Sequence, residues 1–306
     1  MTLIAESSEQ RGREIRIAQI SAEHCWVDPS ALGRNAAKTL QWYERAADEA
    51  DLVVLPELIL TGYIPVAGYN QKAKLILAEV ARRVAGEELP RIAAATSGKR
   101  AAMVVGFMEP STMRNEFYNS VALIQDGRVL GVYRKMHLPT EENHFFIPGD
   151  SPVVVDCRAG RVGLNICYDL VFPEAARLAA LDGAELLCVP SNWIAREELE
   201  RLGSVLSVAR ALEEQMHVVF ANGVGTVESR GRTWQLYGGS AIISAAGQLI
   251  VRGGSDEELV AGVLADESLA AAAGIFPVLR DRRPDAYGDL VASRSRFARI
   301  RSERVP

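Results

Sequence analysis

The segment Gly163-Leu164-Asn165-Ile166-Cys167-Tyr168-Asp169-Leu170-Val171-Phe172-Pro173-Glu174 decides how this chain is read. Its first part, begun at Val162, reads as a strand that the cysteine ends. Its last part opens a helix. Pro173 and Glu174 fall in the first turn, where a missing N–H and a negative charge are both favoured. A strand that turns directly into a helix exposes the residue at the turn at the carboxyl end of a sheet. Cys167 occupies that turn, where helix amides and a nearby cation favour the nucleophilic thiolate. The competing reading is a buried structural thiol. That reading fits Cys188, inside Leu186-Leu187-Cys188-Val189, and also Cys25 and Cys157, neither of which lies at such a turn.

Outward from this elbow, strands and helices alternate. Strands are expected over 14–20, 52–55, 102–107, 162–167, 186–189 and 217–221. Helices are expected over 28–50, with Asp28 or Ser30 as cap, and over 71–96, 173–182 and 197–215. Two hairpins interleave: 121–124 with 129–133 around Asp126-Gly127, and 240–244 with 248–252 around Gly247. Asp-Gly between two β runs is a strong hairpin signal. The rhythm predicts an α/β protein with mixed sheets, without an obvious repeat. The expected layout is a tail over 1–13, one domain over 14–280 and a C-terminal extension over 281–306, begun by Asp281-Arg282-Arg283-Pro284-Asp285.

Composition narrows the function classes. The chain has 306 residues, 48% hydrophobic and 24% charged, enough to bury a core without disulfide staples or a structural metal. Lys+Arg 34 against Asp+Glu 39 leaves a net charge of −5, so nothing suggests a nucleic-acid or anionic-membrane partner. The four cysteines form no C-x-x-C pair, and the four histidines show no metal-ligand spacing. Residues 1–13 lack the apolar core of a secretory signal, and no apolar run approaches the roughly 18 residues of a membrane span. A cytoplasmic location is expected. No glycine-rich phosphate loop appears.

Two further residues sit where chemistry is done. Glu57, in Leu55-Pro56-Glu57-Leu58, follows directly on a fully apolar strand. Ligands bind beyond such strand ends, and a partly desolvated carboxylate there suits a general base. A loop cap or a partner to a core arginine is an equal reading from local context. Lys135, in Tyr133-Arg134-Lys135-Met136-His137-Leu138, ends a hairpin strand on which Val129, Gly131, Tyr133 and Lys135 share a face. If that face is inward, its ammonium can hold an oxyanion. A surface lysine is the commoner case.

Together these contexts, in the order Glu, Lys, Cys and separated by 78 and 32 residues, resemble the nitrilase superfamily of carbon–nitrogen hydrolases. Phe145-Phe146-Ile147-Pro148-Gly149-Asp150, Arg210-Ala211-Leu212-Glu213 and the hairpin from Gly239 to Gly247 are similar to further landmarks of that family, although Glu214 stands where it usually has Asn. The resemblance runs from Ile15 to about Tyr287. It implies a four-layer α-β-β-α sandwich and a cysteine hydrolase needing no metal or organic cofactor. By resemblance Glu57 is the general base and acid, Lys135 the oxyanion stabiliser, Cys167 the nucleophile and Glu142 an assisting carboxylate, with Glu141 adjacent to it. The backbone N–H of Tyr168 would share the oxyanion. Cys-Tyr-Asp looks like the amidase and carbamoylase branches rather than true nitrilases, and Pro56-Glu57-Leu58-Ile59-Leu60-Thr61-Gly62-Tyr63 looks like simple aliphatic amidases. The implied reaction is cleavage of a small amide to ammonia and acid. N-carbamoyl amines, acyl transfer to an amine, and a non-catalytic interaction module are the alternatives. No arginine clearly demands a carboxylate substrate. Tyr63, Tyr118, Phe145, Asn192 and Trp193 are candidate substrate-binding residues. Each fits ordinary core equally well, and for Tyr118 the core reading weighs more. The family implies a homodimer or larger assembly.

Overall fold

The computed structural model describes residues 12–63, 71–113, 116–139, 142–229 and 232–291. The expected tail over 1–13 lies outside this range apart from Gly12 and Arg13, as do Glu141 and residues 292–306 of the extension.

Strand β1 (Arg13–Gln19) leads through helix α1 (Ala31–Glu44) into β2 (Leu52–Val54). The expected long helix over 71–96 is two helices, α2 (Gln71–Arg83) and α3 (Leu89–Ala95), joined by a π turn, Val84–Glu88. Pro90 lies in the first turn of α3. It lacks the N–H that a continuous helix would need, so the hydrogen-bond ladder re-registers just before it. Strands β3 (Ala102–Pro110), β4 (Phe117–Gln125) and β5 (Arg128–Arg134) complete the first run, with the β4–β5 turn at Asp126-Gly127 as expected.

The chain then builds a second sheet from β6 (Val153–Cys157), β7 (Gly160–Leu164), β8 (Leu186–Ser191) and β9 (His217–Asn222), with α4 (Pro173–Leu181) and α5 (Glu197–Glu214) as crossovers. A short hairpin, β10 (Thr226–Ser229) and β11 (Arg232–Gln235), precedes β12 (Ala241–Ile243) and β13 (Leu249–Arg252). Strand β14 (Glu258–Leu264) returns to pair with β1, pairing Arg13 with Leu264 and Gln19 with Glu258, and helix α6 (Glu267–Ile275) follows. Beyond Asp281 the expected polar extension carries a 3-10 turn, Pro284–Ala286, and a short helix α7 (Gly288–Val291).

Two six-stranded mixed sheets result, ordered β14-β1-β2-β3-β4-β5 and β13-β12-β9-β8-β7-β6. They face each other across one apolar layer, in which Ile15, Ile17, Leu52, Val54 and Val104 meet Val162, Leu164, Leu186, Cys188 and Val219. Each fully buried side chain of this kind is worth about 1.5–3 kcal/mol. The outer face of the first sheet packs under α1, the π turn and α3 through Val53, Leu55, Met103 and Val105. The outer face of the second packs under α4 and α5 through Leu187, Val189, Val218 and Phe220. This is the four-layer α-β-β-α sandwich. Strands buried on both faces are why the central runs are continuously apolar rather than alternating.

Candidate active site

The site lies where loops leaving the two sheets meet. Beyond β2, Glu57 is 1% exposed. Its Oε1 accepts hydrogen bonds from Asn119 Nδ2 and from Lys135 Nζ, each at 2.7 Å. Its Oε2 is buried and receives no hydrogen bond from the described residues. The main chain of this turn is pinned from the other sheet by Asn192, whose Nδ2 donates to the Glu57 carbonyl at 2.6 Å. Leu58, next in sequence, has φ 49°.

Lys135 follows β5 and is wholly buried. Tyr133 and Lys135 do face inward, as alternation along the strand requires. The Lys135 N–H donates to the Asn119 carbonyl and the Lys135 carbonyl accepts from the Gly149 N–H. The ammonium spans both carboxylates: besides Glu57 it donates to Glu142 Oε1 and Oε2, both at 2.9 Å. Glu142 opens a 3-10 turn, is 2% exposed, and also accepts from the Tyr63 hydroxyl at 3.0 Å. Burial alone would discharge Lys135, but the charges of Glu142 and Glu57 outweigh it and hold the ammonium well above the ordinary lysine range. Burial pushes Glu142 up, against the pull of Lys135, and pushes Tyr63 well above the usual phenol range.

Cys167 lies beyond β7, which ends at Leu164 rather than running on to the cysteine. The cysteine opens a 3-10 turn, Cys167–Val171, with φ 49°. Four described non-glycine residues have positive φ. Asp126 and Gln215 belong to a hairpin turn and a helix cap, whereas Leu58 and Cys167 belong to the site. Left-handed backbone at non-glycine residues stores about 1–3 kcal/mol each and persists only when its surroundings enforce it. Here the enforcing residue is Asp169, which is fully buried. Its Oδ2 accepts from the Ile166 N–H at 3.0 Å and the Tyr133 hydroxyl at 2.8 Å. Its Oδ1 accepts from the His137 N–H at 2.9 Å and from His137 Nδ1 at 2.8 Å. One carboxylate thus ties the cysteine turn to the strand end that carries the lysine.

The cation expected to favour the thiolate is Lys135, but other influences outweigh it. Burial, and after it the charge of Glu57, raise the Cys167 thiol well above the ordinary range, and Lys135 only partly opposes this. A thiol held in that range needs a base to become a nucleophile.

A cavity of about 400 Å³ opens on Cys167. Of the expected binding residues, Tyr63, Asn192 and Trp193 line it, with Glu142 and Tyr168. Tyr118 does not line it. It stands one residue from the inward-facing Asn119 on β4, and the Arg134 guanidinium covers its ring at 4.1 Å. Phe145 does not line it either. It is 5% exposed and packs with Leu58, Leu77, Met108 and Phe117 in a satellite core. Sequence reasoning missed Asn119, Asp169, Arg196 and the hairpin residues Val227 and Trp234, of which the last three line the cavity. Strand parity relative to Tyr133 was the available signal for Asn119. No C-x-x-C or histidine-pair pattern was present for a metal, and no group of three metal-ligating side chains occurs among the described residues.

Comparison with known proteins identifies the family. The family model described as carbon-nitrogen hydrolase matches residues 15–273. A hydrolase in the pqqF 5' region of Pseudomonas protegens is 34% identical over 280 residues, covering 90% of this chain and 93% of that protein. An (R)-stereoselective amidase of Pseudomonas sp. is 33% identical over 252 residues, covering 81% of this chain and 85% of its own. Among solved structures, a mutant amidase from Nesterenkonia sp. AN1 superposes with a TM-score of 0.71 at 25% identity, covering 93% of this chain and 99% of that one. That structure shows covalent addition of the acetamide moiety of fluoroacetamide at its active-site cysteine. The chain belongs to the carbon–nitrogen hydrolase family, and its fold is that of the nitrilase superfamily.

Proposed function

We propose that this chain is an amidase that hydrolyses the C–N bond of a small-molecule amide through a thioester on Cys167, releasing ammonia and a carboxylic acid. The observation that carries the reading is the buried Glu57–Lys135–Glu142 cluster, in which Glu57 keeps one carboxylate oxygen without a hydrogen bond, and whose Glu142 lines the same cavity as Cys167.

In this reading Glu57 takes the Sγ proton as the sulfur attacks the amide carbonyl carbon. The carbonyl electrons move onto oxygen. Lys135 has two N–H groups on Glu142 and can turn one to that oxyanion, and the Tyr168 N–H is the second donor. Glu57 then returns the proton to nitrogen, the C–N bond breaks, and ammonia leaves. Water, deprotonated by Glu57 and oriented by Glu142, attacks the thioester. The carboxylic acid departs and the thiol regains its proton. Nothing in these steps calls on a metal or organic cofactor.

The cytoplasm is the proposed location. No helix of the described residues is long and apolar enough to cross a membrane. The proposed assembly is a homodimer or larger, joined through the face where Leu178, Leu181, Val205 and Leu212 of α4 and α5 are exposed. Contiguous exposed apolar side chains on helices mark such interfaces. Light scattering that gives a monomer mass at working concentration refutes it.

Ammonia release from a panel of primary amides, N-carbamoyl amines and nitriles, with Cys167→Ala as control, tests the activity. Cysteine-dependent release from the amides is expected. Release only from N-carbamoyl amines moves the chain to the carbamoylase branch. A new amide formed when an amine is added makes it an acyltransferase.

A further inference from the structure

The cavity on Cys167 divides into two chemistries. Glu142, Cys167 and Asn192 bring reactive and polar groups to its lining. Trp193, Leu199 and Leu202 of α5, and Val227 and Trp234 bring hydrocarbon. At about 400 Å³ it is within the range of sites that enclose drug-sized molecules, and far larger than a two-carbon amide requires.

Part of the hydrocarbon lining has an unusual origin. Val227 and Trp234 are cross-strand partners in the β10–β11 hairpin, which belongs to neither six-stranded sheet. The sandwich closes without it. The hairpin is fastened to the segment behind Asn192, where the Ala195 N–H donates to the Gln235 carbonyl at 2.6 Å, and it is held from the other side by His24 Nε2 at 3.1 Å from the Thr226 carbonyl. Leu202, which also lines the cavity, is left 39% exposed in the second turn of α5. Trp234 and Leu202 both line the cavity, and each gains contact when something apolar fills it.

We propose that the β10–β11 hairpin and the first two turns of α5 form an acyl pocket, and that the amides cleaved at Cys167 carry a bulky branched or aromatic acyl group. This rests on the amide-cleaving reading above and replaces the expectation of simple aliphatic amides. Arg196, at the rim, is the one lining cation among the described residues, but it is exposed and its Nε lies 3.6 Å from Glu198 Oε2. Glu197, Glu198 and Glu200 follow it in the first turn of α5 and leave that turn net negative. A carboxylate on the acyl group of the substrate is therefore disfavoured.

The test compares kcat/KM for acetamide, isobutyramide, 2-phenylacetamide and succinamic acid. Even one methylene in a well-fitted apolar pocket discriminates by about 10–200-fold, so 2-phenylacetamide should exceed acetamide by about 100-fold or more. Trp234→Ala should lower that ratio by about 10-fold, and Leu202→Trp, which fills the pocket from the helix side, should lower it further. Because the readout is a ratio, partial loss of folded enzyme cancels. The proposal is overturned if acetamide is turned over within a few-fold of 2-phenylacetamide, if neither variant moves the ratio, or if succinamic acid outruns the aromatic amide. Ammonia release from none of the four refutes amide cleavage itself. Release with a flat ratio refutes only the acyl pocket.

Discussion

The two sheets are the same construction used twice. In the first, β1, β2 and β3 run parallel and β4 and β5 follow antiparallel. In the second, β7, β8 and β9 run parallel and β12 and β13 follow antiparallel. Each sheet is closed on the β1 or β7 side by an antiparallel strand, β14 or β6. Matching the registers sets Leu52-Val53-Val54-Leu55-Pro56 on Leu186-Leu187-Cys188-Val189-Pro190, Ile20 on Cys167, Ala102 on His217 and Gly106 on Ala221. The frameworks agree, and the residues beyond the strand ends do not. The first sheet supplies Glu57 and Lys135, the second Cys167 and Asn192, so neither half holds a site alone. Similar packing thus carries dissimilar chemistry because the chemistry resides in the loops.

The most severe way to break this division is to remove the charge that joins its parts. Lys135→Met leaves two buried carboxylates without their cation. It should lower kcat by about 10³-fold or more and stability by about 3–5 kcal/mol, as read by steady-state kinetics and denaturant unfolding. Next is the tie between halves. Asp169→Asn keeps the side chain's shape but gives an N–H₂ to donors that need an acceptor. A loss of about 10²-fold in kcat with a smaller change in KM is expected, with a stability loss of about 2–3 kcal/mol in thermal unfolding. An unchanged kcat would show that the cysteine turn needs no such anchor.

Gly106→Ala sharpens the comparison directly. A Cβ at Gly106 would lie 2.5 Å from Leu58 N and 2.7 Å from Pro56 O, because the Glu57 turn folds down onto β3. The matched position in the second sheet is Ala221, already a methyl. The variant should displace Glu57, lower kcat by about 10-fold or more and destabilise by about 1–3 kcal/mol. A crystal structure of the variant would measure the shift.

The gentlest test uses pH and concerns the second half only. Burial raises Glu214, against Arg177 at 2.9 Å, to about 7, and burial lowers His217 to about 4. The raised acid contributes stability present below about 4.5 and lost as pH rises through 7. The lowered histidine contributes stability present above about 6.5 and lost as pH falls toward 4. Each is worth about 3 kcal/mol, and between pH 4.5 and 6.5 they oppose one another. Glu214→Gln should therefore leave a Tm that falls as the solution is acidified. His217→Asn should leave one that falls as pH rises from 4.5 to 7. Melting curves across pH 4.5 to 8 check both signs.

How much of this was legible follows from how local each signal is. Glu57, Lys135 and Cys167 each sit at the end of a strongly apolar or alternating strand, so chain-local pattern and family resemblance found them. Asn119 and Tyr118 are neighbours with opposite fates. Period-two alternation sends one to Glu57 and the other beneath Arg134, and only the sheet register decides which. Phe145 sits beside the cluster in sequence but packs in its own apolar group. The internal duplication shows in sequence only at the paired Leu-x-x-x-Pro runs, where both strands are buried on both faces. The β10–β11 hairpin escaped notice because its inward residues, Val227 and Trp234, answer to a cavity and not to a sheet face.

What becomes of Cys167 during turnover separates a covalent route from a non-covalent one. Intact-protein mass spectrometry of acid-quenched reactions with 2-phenylacetamide, run beside an ammonia assay, reads it. The prediction is an acyl adduct on Cys167, absent from Cys167→Ala, with ammonia release in that variant lower by about 10⁴-fold or more. An unmodified Cys167 together with a Cys167→Ala enzyme that still releases ammonia at near the native rate would contradict it.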